Sequence, residues 1–165
     1  MLKNYGRFYT KKIIMAFNFG KTSKRRMQGV DERLIRVFEL ALSRSKYDFG
    51  IAWMGGLRKD SQQNRLYKEG KSQLDGYNKR SKHQPSLEDG KGKALDIIVF
   101  DEHGQLTWDE FYIVEVSHCI LEAAEELCEE LRWGNDWDRD GIPVDMDPDE
   151  RFVDMPHFEL FEKKS

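Results

Sequence analysis

The chain has 165 residues, a net charge of −3, 39% hydrophobic residues and 12% aromatic residues. This length fits one domain with a substantial core, and the aromatic content excludes a disordered chain. No apolar run reaches the ~20 residues of a membrane-spanning helix or the ~7–15 residues of a signal-peptide core. We therefore expect no signal peptide, no membrane insertion, and a protein that folds in the cytoplasm.

Charge is divided unevenly along the chain. Residues 1–80 carry 19 Lys/Arg and 7 Asp/Glu, a balance of +12, whereas residues 81–165 carry 8 and 23, a balance of −15. A basic half can follow a polyanion such as nucleic acid, teichoic acid or lipopolysaccharide, and an acidic half can hold a cation. The alternative is that the two halves attract each other within the fold.

The N-terminal half begins with a basic segment that lacks periodicity, which predicts a tail over residues 1–18 and a single domain over 19–165. Apolar residues at three- and four-residue steps predict a helix, and a short apolar run before Gly55-Gly56 predicts a strand and a turn. The predicted elements are a helix over 31–45, a strand over 49–54 and a helix from Asp60 or Ser61 to Glu69.

The C-terminal half contains two long polar segments, over residues 71–93 and 133–150, which we interpret as functional loops. Between and after them the predicted elements are a buried strand over 94–100, an amphipathic helix over 109–131 and a final strand over 158–161. Strands separated by helices indicate an α+β fold in which the two loops can build a site.

The histidines offer a candidate metal site. His83 and His157 each lie in a polar segment beside a predicted strand, and Asp96 lies near the start of another. A carboxylate on a buried strand needs a partner that offsets its desolvation, and a metal ion would supply one. Two imidazoles and one carboxylate with an open fourth position are the ligand set of a catalytic zinc, which lowers the pKa of bound water towards ~7.

The same residues belong to a motif in three segments, Ser81–His83, Gly92–Asp96 and Asp154–Leu160. In this motif the chain resembles the VanX/VanY and D-Ala-D-Ala carboxypeptidase group of zinc peptidases, and within it the phage and bacterial L-alanyl-D-glutamate endopeptidases. Segments 55–58 and 133–137 also match, so that the resemblance covers residues 19–161. It implies an α+β fold of the LAS type, related to hedgehog and D-Ala-D-Ala peptidases, with a small antiparallel sheet and flanking helices.

One spacing departs from the family pattern. Gly92 lies nine residues beyond His83, and the six extra residues fall within 84–90. A surface loop tolerates such an insertion, because the entropy of loop closure grows only logarithmically with length. We prefer Asp96 as the ligand, since a strand fixes its position, but the insertion leaves Glu88 or Asp89 as alternatives.

The resemblance assigns His83, Asp96 and His157 as zinc ligands and Asp154 as the general base. Asp154 lies three residues before His157, from where it can reach a water on the metal by hydrogen bond. Such a carboxylate takes a proton from the water during attack and delivers it to the leaving amine.

Arg58 and Ser81 are the further candidates. By resemblance, Arg58 binds a substrate carboxylate or steadies the tetrahedral oxyanion, a task suited to its planar fork of donors. The alternative for Arg58 is a surface ion pair. Ser81 contacts the substrate or supports the ligands, unless it is an ordinary exposed loop serine.

The resemblance implies a zinc endopeptidase that cuts the peptidoglycan stem peptide at the L-Ala–D-Glu bond by metal-activated water, acting as a phage endolysin. The alternatives are a D-Ala-D-Ala carboxypeptidase or dipeptidase, and a non-catalytic module that binds the wall or calcium. Expected partners are the stem peptide and anionic wall polymers, and we expect a monomer that does not bind nucleic acid. Such an endolysin remains in the cytoplasm until lysis and then reaches the cell wall or periplasm.

A second cation site is predicted in the aspartate-rich loop. Asp136, Asp138 and Asp140 stand at the first, third and fifth positions of an EF-hand-like calcium loop, with Gly141 at the sixth and Asp147 at the twelfth. The twelfth position of such a loop normally holds Glu, and no helical pattern follows. The alternative is therefore a solvated acidic loop, whereas bound Ca²⁺ would order it and thereby set the position of the base.

Overall fold

The computed structural model describes residues 16–144, 146–147 and 152–161. The elements within these residues, in chain order, are α1 (Lys21–Arg26), α2 (Glu32–Arg44), β1 (Phe49–Ile51), α3 (Asp60–Lys68), β2 (Ala94–Phe100), β3 (Leu106–Thr107), α4 (Glu110–Glu126), β4 (Leu131–Trp133) and β5 (His157–Leu160). None of these helices is long and apolar enough to cross a bilayer. Helices and one sheet make the α+β fold that the sequence predicts.

The strands form one antiparallel sheet in the order β1-β2-β5-β4, with β3 paired to the C-terminal end of β2. The register of β2 and β5 sets Asp96 directly opposite His157. The register of β4 and β5 sets Arg132 opposite Glu159. Because alternate residues of a strand point to opposite faces, His157 and Glu159 share one face of β5. The sheet therefore gathers charged side chains from three strands on its polar face.

The other face of the sheet belongs to the hydrophobic core, together with α2 and α4. Phe38 of α2 contacts Phe49 and Phe158 edge to face, with ring centroids 6.2 and 5.7 Å away. The residues of α2 that are buried in this core are Leu34, Val37, Phe38, Ala41 and Leu42, which is the apolar stripe that predicted the helix. Burial of the apolar stripe thus places α2 behind the sheet and leaves the polar face open.

Most predicted elements are confirmed to within one residue at each end, but two differ more in extent, and α1, β3 and β4 have no predicted counterpart. Strand 94–100 is confirmed without change, but the strand predicted over 49–54 ends at Ile51. The helix predicted over 109–131 ends at Glu126. Cys128 adopts a left-handed φ of 57°, and the N–H groups of Cys128 and Glu129 donate to the carbonyls of Glu125 and Ala124. These bonds form a Schellman motif without its usual glycine, so no sequence signal marked the end of the helix.

The predicted tail lies mostly outside the described residues, which begin at residue 16. Phe17 packs against the core, and Phe19 is buried with its ring edge-on to Phe49 at 5.6 Å. Arg36–Glu129 and Arg44–Glu126 ion pairs join the basic and acidic halves of the chain across α2 and the end of α4. Attraction between the halves therefore contributes to the fold, although exposed pairs of this kind stabilise it little.

A buried ion pair between Asp31 and Lys93 lies beside the N-terminus of α2. Asp31 caps this helix by accepting from Arg33 N–H at 2.9 Å, and it also accepts from Lys93 Nζ at 2.7 Å. Both side chains are 8% exposed. Burial raises the pKa of Asp31, but hydrogen bonds from Arg33 and Lys93 outweigh this effect and hold the pKa well below its ordinary value. This stabilisation is therefore present above the unfolded pKa of about 3.9 and is lost as the pH falls towards the folded pKa.

We predict that Asp31→Ala lowers the free energy of unfolding by about 3 kcal/mol, because it removes a helix cap and leaves a buried lysine without this partner. Urea denaturation at pH 7 measures the change. The matched control is Asp109→Ala, which removes the exposed cap of α4 and should cost about 1 kcal/mol. Equal losses in the two variants would contradict a contribution from the buried pair.

Candidate metal centre

Three side chains converge on the polar face of the sheet. His83 Nε2 lies 3.1 Å from Asp96 Oδ1 and 3.2 Å from His157 Nδ1, and His157 Nδ1 lies 2.8 Å from Asp96 Oδ1. Asp96 and His157 meet because β2 and β5 pair at these positions, and His83 arrives from the long loop after α3. The structure thus brings together the three predicted metal ligands.

The remaining ring nitrogens decide which atoms are free to bind a metal. His83 Nδ1–H donates to the carbonyl oxygen of Gly56 at 2.9 Å. His157 Nε2–H donates to the Glu159 carboxylate at 3.0 Å. Because a carbonyl or a carboxylate can only accept, each ring carries its proton on the outer nitrogen. The lone pairs of His83 Nε2 and His157 Nδ1 can then point at one common position, as imidazole ligands require.

The charges of the group follow from its burial. Burial lowers the pKa of His83, so this ring is neutral. Burial alone would also lower the pKa of His157, but hydrogen bonds to Asp96 and Glu159 raise it to about 10. For Asp96, the two imidazoles outweigh the effect of burial and hold the pKa well below its ordinary value. A metal ion that binds here therefore meets a carboxylate and displaces a proton from His157.

Glu159 supports the centre without being a candidate ligand, which is the structural role that the sequence suggests for it. It is buried, accepts from His157 with one oxygen, and accepts from Arg132 Nε with the other at 3.0 Å. This contact fixes the ring of His157 and its tautomer. The available signal was the alternation of strand residues, which places Glu159 on the face of His157 two positions earlier.

The insertion after His83 does not supply a ligand. Asp89 is exposed and accepts from Lys93 Nζ at 2.6 Å, and Glu88 is exposed. Neither residue belongs to the group formed by His83, Asp96 and His157. The geometry therefore favours Asp96 over both alternatives.

Arg58 contacts the centre directly. Its Nη2 donates to Asp96 Oδ2 at 2.5 Å, its Nε to the Met54 carbonyl at 2.7 Å and its Nη1 to Gln63 at 3.3 Å. The side chain is 13% exposed, so the alternative of a surface ion pair is wrong. Three of the five N–H donors of Arg58 have these partners, which leaves two for other contacts.

A cleft of about 590 Å³ opens over the three ligands. Ser81, Asp154 and Arg58 line it, together with the aromatic side chains of Trp137 and Phe152. Ser81 is buried, and its Oγ accepts from the backbone N–H of His83 at 3.2 Å. Ser81 is therefore not an exposed loop serine, and its hydroxyl shapes the turn that carries His83.

Asp154 lies outside the group of three but borders the same cleft. Its backbone N–H donates to the Gly134 carbonyl at 2.7 Å, and its carbonyl accepts from His157 N–H at 2.9 Å. A Cβ on Gly134 would lie 2.1 Å from the Asp154 carbonyl oxygen, so glycine is needed for this approach. Burial, and then the charge of Asp96, raise the pKa of Asp154. A carboxylate with a raised pKa in a cleft is suited to move protons.

The predicted calcium loop brings three of its carboxylates together. Oxygen atoms of Asp136, Asp138 and Asp140 lie within 4.8 Å of one another. Backbone N–H groups of Asp140 and Gly141 donate to Asp138 and Asp136 at 3.1 and 3.2 Å. Among the described residues Asp147 lies outside this group. The structure thus assembles the first half of the predicted loop, and binding of Ca²⁺ stays a prediction.

The sheet and its centre define a class of protein: a candidate metallohydrolase with a ligand set of two histidines and one aspartate on an antiparallel α+β scaffold. Residues 15–161 match the family of phage L-alanyl-D-glutamate peptidases. The chain belongs to this family, and it is a peptidase.

Two relatives agree with this assignment. An L-alanyl-D-glutamate peptidase of Escherichia phage T5 is 32% identical over 128 residues, which are 77% of this chain and 86% of the relative. The crystal structure of the Serratia marcescens L-Ala D-Glu endopeptidase ChiX superposes with a TM-score of 0.67 at 27% identity, and the match covers 91% of this chain and 94% of the other. The predicted family and fold are therefore confirmed.

Proposed function

We propose that this protein is a zinc-dependent peptidoglycan endopeptidase that cleaves the L-Ala–D-Glu bond of the stem peptide. The observation that carries the proposal is the convergence of His83 Nε2, Asp96 Oδ1 and His157 Nδ1 at the base of a cleft. The names of the family and of the relatives support the choice of bond.

Two imidazole nitrogens and one carboxylate oxygen suit zinc, which in such a site keeps a position open for water or substrate. Bound zinc would polarise the scissile carbonyl and lower the pKa of the attacking water. The chain's contribution is to hold the donors in place. Gly56 and Glu159 keep the two rings in the required tautomer, and Arg58 holds the second oxygen of Asp96.

Asp154 is the proposed general base. Its carboxylate takes a proton from the attacking water and delivers it to the amine of the departing D-Glu residue. The raised pKa of Asp154 favours this transfer, because a carboxylate whose pKa lies far below 7 is too weak a base to take the proton from water. The two remaining donors of Arg58 are available to the developing oxyanion or to a substrate carboxylate.

The charge of the cleft supports a stem peptide as substrate. Lys71, Arg80, Lys82 and Arg132 border the cleft, and stem peptides carry free carboxylates. Lys71, Arg80 and Arg132 form ion pairs with Glu69, Asp60 and Glu159, so we assign the substrate carboxylate to Lys82. Lys82 is exposed, so its ammonium group faces the solvent-filled cleft. Anionic wall polymers are a proposed second partner of the basic half, and the monomeric state stays a prediction. As an endolysin the protein would act on the wall at lysis.

Digestion of purified peptidoglycan tests the proposed function. We expect the zinc-loaded protein to release fragments with new N-terminal D-Glu and new C-terminal L-Ala, identified by mass spectrometry, and a chelator to abolish release. Release of D-Ala instead would favour the carboxypeptidase alternative, and no release would favour a non-catalytic wall-binding module.

The role of Asp154 makes a separate prediction. Asp154→Asn should lower kcat by ~10²–10⁴-fold, the range for loss of general acid–base catalysis, while zinc content stays at that of the unmodified protein. Metal analysis and initial rates on a stem peptide measure both quantities. Loss of zinc together with activity would show that Asp154 is a ligand or a structural support, and near-normal activity would remove it from the mechanism.

We also propose that Asp136, Asp138 and Asp140 bind Ca²⁺, because three carboxylates brought within 4.8 Å repel one another without a cation. Titration of Ca²⁺ into the zinc-loaded protein should raise Tm, and Asp138→Asn/Asp140→Asn should abolish the shift. Glu122→Gln/Glu125→Gln is the matched control, since it removes two exposed carboxylates of α4. A flat response of the unmodified protein would exclude a calcium site, and an equal response of the double variant would place it elsewhere.

A further inference from the structure

An exposed tryptophan lies in the turn that is hydrogen-bonded to Asp96, and it has no role in the mechanism above. Trp53 is 75% exposed, although burial of a tryptophan is normally favourable. The guanidinium carbon of Arg26 lies 5.7 Å from the centroid of its ring, and Arg26 Nη1 donates to the Ile51 carbonyl at 2.6 Å. One side of the indole therefore contacts an anchored cation, and the rest of its surface faces solvent.

Trp53 lies in a turn over residues 52–56, which forms hydrogen bonds with two candidate metal ligands, Asp96 and His83. Ala52 N–H donates to the Asp96 carbonyl at 2.9 Å, and Asp96 N–H donates to the Gly55 carbonyl at 2.8 Å. The next carbonyl along the chain, that of Gly56, accepts from His83 Nδ1. The same short turn thus holds two ligands and presents the indole.

The backbone of this turn adopts an unusual conformation. Met54 has a φ of 61°, a conformation that residues other than glycine rarely adopt, and its carbonyl accepts from Arg58 Nε at 2.7 Å. A Cβ on Gly55 would lie 2.6 Å from the Asp96 carbonyl oxygen. Unusual backbone conformations persist where the surroundings impose them, and they concentrate at functional sites. Hydrogen bonds to Asp96 and Arg58 therefore hold the backbone of the turn that carries Trp53.

A groove of about 370 Å³ runs beside Trp53. It lies next to the catalytic cleft, since Arg58 borders both. Its remaining charged side chains are basic: Arg25, Arg26 and Lys59. The groove therefore offers an aromatic face and positive charge to whatever extends beyond the cleft.

On the L-Ala side of the scissile bond, the proposed substrate extends beyond the cleft. In peptidoglycan the L-Ala residue is joined to the lactyl group of an amino sugar, so a sugar ring follows the scissile bond after two short units. At the reach of an extended chain, this is about 7 Å. The C–H face of a pyranose ring is apolar and packs on an indole, and the stem peptides along a glycan strand carry carboxylates that complement a basic groove.

We propose that Trp53 and the adjoining basic groove form the subsite for the amino sugar that bears the stem peptide. This inference rests on the proposed function, since it names the glycan end of the same substrate. Trp53 acts as a specificity-determining residue: it binds the sugar, which positions the L-Ala–D-Glu bond over the metal centre.

Two soluble substrates with the same stem peptide test the subsite, one bearing the disaccharide and one N-acetylated without sugar. Trp53→Ala should lower the ratio of kcat/KM, sugar-bearing over sugar-free, by about tenfold, a loss of roughly 1.4 kcal/mol in binding. Trp53→Phe should retain most of the ratio, because phenylalanine keeps an aromatic face. Trp108→Ala is the matched control, since Trp108 is 63% exposed and borders neither the cleft nor the groove.

An unchanged ratio in Trp53→Ala would overturn the proposal. Equal losses on both substrates, or a loss of zinc, would overturn it as well, because Trp53 would then only support the ligands. A loss confined to intact walls would assign the groove to a long anionic polymer instead, and tighter binding of single-stranded DNA than of the disaccharide would assign it to nucleic acid.

The proposed function and the subsite can fail separately. If the unmodified protein cleaves neither substrate, the proposed function fails. Calorimetric titration of the disaccharide into the zinc-loaded protein then decides the subsite. Binding that Trp53→Ala abolishes and Trp108→Ala retains supports it, and absence of binding overturns it.

Discussion

The structure depends on one largely buried carboxylate, that of Asp96, whose side chain is 17% exposed. Asp96 lies on the central strand, where an uncompensated charge would be costly, and its neighbours supply the compensation. One oxygen meets His83 and His157, and the other accepts from Arg58. Its peptide N–H and carbonyl are bonded to the turn after β1. Because these contacts come from three separate segments, residues 52–58, His83 and His157, Asp96 joins the parts of the chain that surround the candidate metal centre.

The strand pairing of the sheet determines the relative positions of the charged side chains at the centre. Alternation along the strands brings Asp96, His157, Glu159 and Arg132 into one diagonal stripe of alternating charge across β2, β5 and β4. A shift of one residue in the pairing of β5 would turn His157 into the core and Phe158 into the cleft. The apolar contacts of Phe158 therefore fix the register of His157, so that packing on the core face of the sheet positions a candidate ligand on the polar face.

The ligands and their fold were predictable because side-chain types at fixed spacing carry that information. The motif around His83, Asp96 and His157 identified the group, hydrophobic periodicity identified α2, and a continuous apolar run identified β2. The Gly56 carbonyl that sets the tautomer of His83 was not predictable, since a backbone acceptor has no sequence signature. The end of α4 was missed for a similar reason: Cys128 occupies the left-handed position where glycine is expected.

The segment after His83, where the sequence predicts an insertion, forms a loop that leaves the centre undisturbed. The extra residues close on themselves, since Ser86 N–H donates to the Lys91 carbonyl and Gly90 N–H to the Ser86 carbonyl. Lys93 then binds Asp89 at one end of this loop and the buried Asp31 beside α2. The insertion is thereby anchored to the helical side of the fold just before β2 begins. The loop closes before the chain reaches Asp96. The strand register therefore does not depend on the size of the loop, and neither does the distance between the candidate ligands.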